Sequence, residues 1–155
     1  MKLNPKDFKK SGIRQFQMSF YTRRTKLRSK LGPFNIVLTT RGKKAPPPDQ
    51  EMFDIASDLI SLSERDFDKI HSLLFADYRG LEKENPTWLE DNEVPLKLNK
   101  EDIGRYLLSR SLEVTRAPED PDEKFRSRVV MNPKWDEEHG FRLMYARKRW
   151  TQGEY

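Results

Sequence analysis

The densest run of reactive side chains in this 155-residue chain is Trp135, Asp136, Glu137, Glu138, His139 and Gly140. Three carboxylates beside an imidazole could hold a divalent cation, or pair an acid with a base in a metal-dependent hydrolysis, with Asp136, Glu138 and His139 as the working groups. Successive residues of a turn point in different directions, however, whereas a metal site needs ligands that converge, and the run lacks the spacing of a helical HExxH pair. The plainer reading is a solvated turn between two strands, with Gly140 in an unusual backbone conformation and Trp135 packed beneath it. The other histidine, His71, falls beside the apolar positions Phe67, Leu74 and Tyr78. As a general base it has no nucleophile to serve, since the sequence holds no GxSxG or SxxK, so a structural, partly buried histidine is expected.

Other chemistries are missing their residues. The chain has no cysteine, which removes thiol nucleophiles, disulfides and cysteine-ligated zinc or iron–sulfur sites. Its seven glycines are scattered and form neither GxxxxGK nor GxGxxG. No catalytic residue, metal or cofactor is expected. No stretch approaches the roughly 20 apolar residues that cross a bilayer, and no apolar segment follows the basic start, so no membrane is expected and the cytoplasm is the simplest compartment.

Charge is more informative, because it is sorted along the chain. The formal total is +5, but residues 1–44 carry 13 bases and one acid, and residues 45–104 carry 15 acids and 6 bases. Such a dipole steers the approach of partners. Its basic pole could attract a phosphate backbone, an acidic protein, or the chain's own acidic third. The case for nucleic acid rests on Phe20 and Tyr21 beside Arg23, Arg24, Lys26, Arg28 and Lys30, where aromatic rings could stack bases and guanidinium groups neutralise phosphates. An amphipathic strand with a solvated loop carries the same pattern, and no recognised binding motif accompanies it. The acidic pole, with Asp49, Glu51, Asp54, Asp58, Asp66 and Asp68, could cover the basic cleft of a nuclease.

The elements that must hold these residues follow from periodicity. Alternation predicts strands over 13–21, with Phe16, Met18 and Phe20 on one face, and over 33–40, with Phe34, Ile36 and Leu38 inward. An exposed basic loop, 22–30, lies between them. The prolines of 46–48 make a connector. Asp49 caps a helix over 50–62 with Met52, Phe53, Ala56, Leu59 and Ile60 on one face. Ser63 and Asp66 open a second helix, striped by Phe67, Ile70, Leu74 and Tyr78 and stopped by Gly80 or by Asn85-Pro86. Asn99 and Asp102 start a short third one over Ile103, Leu107 and Leu108. Period two then returns, with Leu112 and Val114 inward, next Phe125, Val129 and Met131, and last Phe141, Leu143 and Tyr145. Strands, helices, then strands predict an α+β fold: an antiparallel sheet of about five strands with two to three helices packed on one face. One domain is expected over 1–155, with 1–12 a basic arm and 151–155 a polar tail.

From Asn99 onward the order of short helix, LEV strand, acidic loop, strand, W-D-E-E-H-G and final strand resembles a family of small uncharacterised bacterial cytoplasmic domains. These carry a W-D-x-E-H-G turn near the C-terminus, matched here by Trp135, Asp136, Glu138, His139 and Gly140, with LNKEDIGRYLL before Leu112. After the turn this chain departs from the Gly- and Val-rich continuation of that family. The family is similar in size to immunity and accessory proteins of bacterial conflict systems, and the resemblance implies action by binding another protein, such as a toxin or effector.

Overall fold

The computed structural model describes residues 3–13, 18–24, 29–41, 46–62, 64–116, 125–146 and 149–152. Seven strands form one sheet in chain order: β1 Lys9–Ile13, β2 Met18–Arg24, β3 Asn35–Arg41, β4 Leu107–Arg116, β5 Phe125–Pro133, β6 Phe141–Ala146 and β7 Arg149–Gln152. Three helices, α1 Gln50–Ile60, α2 Glu64–Glu84 and α3 Pro86–Asp91, lie between β3 and β4. The fold is α+β and mostly antiparallel, with two more strands than expected. The exception to antiparallel pairing is β3 against β4, where Ile36 meets Leu112 and Leu38 meets Val114 in parallel. A helical crossover returns the chain to the sheet in its original direction, which a hairpin cannot do.

One face of the sheet supplies the core. Phe34, Ile36, Leu38, Leu112, Val114, Val129, Met131, Phe141 and Leu143 are all fully buried, as alternation predicts. Helix α1 packs across β3, β4 and β5, burying its five expected positions Met52, Phe53, Ala56, Leu59 and Ile60. Its start is held by Asp49, whose carboxylate accepts the Met52 N–H at 3.1 Å, satisfying one of the helix's orphan donors. Helix α2 buries Phe67, Ile70, His71, Leu74 and Tyr78.

Several expected boundaries move. Ile13 pairs with Met18 across β1 and β2, so the stretch read as one strand contains a chain reversal. Strict alternation looks the same in one long strand and in two short ones. Phe16, at its centre, lies outside the described residues, and so do Ser63 and the acidic loop 117–124. The start of the chain is more than an arm: Leu3 is buried and Lys9–Ile13 joins the sheet. Gly80 does not stop α2, which runs on to Glu84 before Asn85-Pro86. The predicted third helix is a 3-10 turn over Lys100–Tyr106, in which Asn99 makes no side-chain cap. Leu107 and Leu108 belong to β4, and Leu108 faces solvent. Thr151 and Gln152, read as the start of the tail, belong to β7.

Helix α3 went unforeseen. Asn85 caps it by accepting the Trp88 N–H at 3.3 Å, with Pro86 in its first turn. The chain beyond it is clasped to α2 by Tyr78, whose hydroxyl donates to Pro95 O at 2.6 Å and accepts from Leu98 N–H at 3.1 Å. Glu82 lies 3.2 Å from that hydroxyl and accepts the Lys97 N–H. That backbone donor is the main reason the Glu82 carboxyl is held below the usual carboxylate range.

Candidate functional site

The W-D-E-E-H-G segment connects β5 to β6 and is organised from within. A short 3-10 turn, Lys134–Asp136, presents Asp136. Its Oδ1 accepts from the His139 backbone N–H at 3.2 Å and lies 3.1 Å from His139 Nδ1. The Asp136 carbonyl accepts the Gly140 N–H at 2.9 Å. Gly140 has φ +72°, and a Cβ there would sit 2.8 Å from Asn132 Oδ1, so a side chain would be strained by conformation and would force Asn132 to move. Trp135 is buried beneath the turn, its ring centroid 5.6 Å from that of Tyr78. Glu137, Glu138 and His139 are exposed.

Trp135 also builds one wall of a groove. Its indole N–H donates to Asp77 Oδ2 on α2 at 3.1 Å. Its backbone carbonyl accepts the indole N–H of Trp88 on α3 at 2.7 Å. Between these elements opens a groove of about 450 Å³, lined by Ala76, Asp77, Gly80, Leu81 and Glu84 of α2, by Trp88, and by Trp135, Asp136 and His139 of the turn. Trp88 is pinned by its N–H edge yet remains 47% exposed. Gly80 leaves the helical side of the groove open, since a Cβ there would meet nothing within 4 Å. A glycine inside a helix costs about 0.5–1 kcal/mol relative to alanine, so this opening is not a by-product of helix stability.

Of the candidate metal or hydrolytic groups, Asp136 and His139 line the groove, whereas Glu138 does not. Among the described residues, no group of three or more His, Asp or Glu side chains is placed to hold a metal ion. His71 is elsewhere: it is buried, and its Nε2 bonds to Lys100 O at 2.7 Å, tying α2 to the 3-10 turn before β4. Sequence reading missed Asp77, Gly80, Glu84 and Trp88. The available signals were a glycine that failed to end a helix and a tryptophan just after Asn85-Pro86.

The acidic candidates divide. Asp49 caps α1 and also pairs with Arg116 at 2.9 Å. Glu51, Asp54 and Asp58 are exposed at helical spacing along α1, which contains no basic residue. Asp66 is half-buried in the first turn of α2, and the exposed Asp68 sits between Arg65 and Lys69.

The basic candidates divide as well. Tyr21 pairs with Leu38 and packs on the core side, where Lys10 Nζ lies 5.7 Å from its ring centre. Phe20, one residue earlier, is on the opposite face, so the two rings cannot form one stacking platform. Arg23 is 3.5 Å from Asp7. Arg24 ends β2, Lys30 is exposed, and Lys26 and Arg28 lie outside the described residues. On the sheet face opposite the core, Arg128 pairs with Glu113 at 2.8 Å. Among the described residues, no helix is long and apolar enough to cross a membrane.

No curated protein and no solved structure matches the chain. A family model does, over residues 12–152, a span that takes in all of β2 to β7, the three helices and the whole groove. The chain belongs to the family described as a domain of unknown function, DUF6985.

Proposed function

We propose that this chain is a non-catalytic, cytoplasmic protein-binding module of the immunity or accessory type, acting on a basic partner such as the active cleft of a bacterial toxin. The observation that carries the reading is α1, whose solvent face offers Glu51, Asp54 and Asp58 with no base anywhere on the helix. A single-sign face on a rigid helix docked to the sheet raises the encounter rate with a positive cleft and fixes orientation on contact. The resemblance of the W-D-E-E-H-G segment to small bacterial immunity-like domains supports the same reading.

The test is recovery of a partner from the source cells by the wild-type chain and by a Glu51→Lys/Asp54→Lys/Asp58→Lys variant. One basic protein should be recovered in stoichiometric amount by the wild type, released by salt, and lost with the variant. Equal recovery by both chains, or no stoichiometric partner for the wild type, refutes the reading. A nucleic-acid-associated role is the second reading, favoured by Lys9 and Lys10 exposed on the edge strand β1, opposite Thr22 and Tyr21. It requires retention on single-stranded DNA or RNA that falls steeply with salt.

A further inference from the structure

The groove beside Gly80 has the chemistry of a cation site, and we infer that it receives an arginine side chain from a basic segment of a partner protein. Three carboxylates line it, from Asp77, Glu84 and Asp136, with the His139 imidazole 3.1 Å from Asp136, and among the described residues neither lysine nor arginine lines it. The field there favours a positive group. The rim is aromatic: Trp88 is fixed by its bond to Trp135 O and still nearly half exposed, so a cation can approach the indole without first ordering it.

Three features favour guanidinium over other cations. A metal ion needs several oxygen or nitrogen ligands at short range, and no such group of three occurs among the described residues. An ammonium is a strongly hydrated point charge that gives up water at a cost, whereas guanidinium is planar, more weakly hydrated, and stacks on aromatic faces. Its five donors can serve carboxylates on both sides of the groove at once, and here these come from α2 and from the β5–β6 turn. At about 450 Å³ the groove also exceeds a single ion and falls within the usual range of ligand pockets. Gly80 lines the site and a Cβ there would meet open space, so a larger side chain at this position has room to occupy the groove.

The inference rests on the protein-binding reading for its occupant only, and its test needs no partner. The isolated chain is titrated with the capped peptides acetyl-Gly-Arg-Gly-amide, acetyl-Gly-Lys-Gly-amide and acetyl-Gly-citrulline-Gly-amide while the indole N–H resonances of the tryptophans are followed by NMR. The arginine peptide should shift the Trp88 resonance with half-saturation at about 1 mM. The lysine and citrulline peptides should bind about tenfold more weakly or not at all. Gly80→Leu should abolish the response while the melting temperature stays unchanged or rises. Glu84→Gln, which alters no buried group, should weaken the response several-fold. No shift with the arginine peptide, an equal shift with lysine or citrulline, or a response that survives Gly80→Leu overturns the assignment. Such a failure leaves the α1 recovery experiment standing, and a failed recovery leaves this titration readable.

Discussion

The outer face of α1 and the groove beside Gly80 are both acidic, yet they differ in construction. On α1, Glu51, Asp54 and Asp58 lie exposed on the convex surface of a helix that carries no base, where Asp54 also accepts from Gln50 Nε2 at 2.9 Å. In the groove, Asp77 and Asp136 are held by hydrogen bonds to Trp135 and to His139, and two indoles frame the space between them. Charge on a convex face acts at a distance and is screened by salt. Charge inside a frame acts at contact and selects shape. Under the proposed reading, attraction belongs to α1 and recognition to the groove, and each can be damaged without the other.

The strongest way to break that separation is Trp135→Ala. This side chain belongs to both the core and the groove, so its removal should cost about 3–5 kcal/mol in chemical denaturation and abolish the arginine-peptide response. A loss below about 1 kcal/mol would show that the groove is not built on the core. The next effect appears in acid. Glu82 has its pKa depressed chiefly by the Lys97 N–H, so the stability it adds is complete at neutral pH and disappears as pH falls through the depressed value. Melting curves of Glu82→Gln should therefore show a flatter acid limb than the wild type, with the α1 face untouched; parallel limbs would remove the clasp from the account. Gly80→Ala has the opposite sign. It should raise stability by about 0.5–1 kcal/mol while narrowing the groove, and destabilisation would mean that the space above Gly80 is filled. A small effect on stability belongs to α1, where Glu51→Gln/Asp54→Asn/Asp58→Asn should lower stability by about 0.3–1 kcal/mol, because Glu51 lies in the first turn of the helix. That variant should slow association with a basic partner and flatten its salt dependence, and an unchanged association rate would deny α1 its steering role.

Legibility in the sequence tracked the range of the interactions. Helix α1 could be read down to its cap and its five buried positions because an amphipathic period is local. The inward residues of β3, β4 and β6 were legible for the same reason. Helix α3 was not, since six residues opening on a proline carry too little of a stripe to register. Four-residue β7 follows Arg147 and Lys148 and lacked any alternation long enough to notice. The parallel register of β3 on β4 depends on how far the helices carry the chain, which no window of sequence reports. The turn 135–140 was legible as a solvated loop over a buried tryptophan. The groove was not, because its lining joins positions 76–88 to positions 135–139, and only the fold brings those segments together.

The seam between β3 and β4 also has a kinetic consequence. Every other ladder in the sheet joins strands that are neighbours in the chain, and each can zip from its own connection. At the seam Asn35 must find Ser111 across the whole helical insertion, so closing it carries the largest entropic cost of any pairing in the sheet. Two preformed ribbons, β1–β3 and β4–β7, would then meet at a late step, and the lifetime of that unsealed intermediate sets how long two open strand edges are offered to other chains during synthesis.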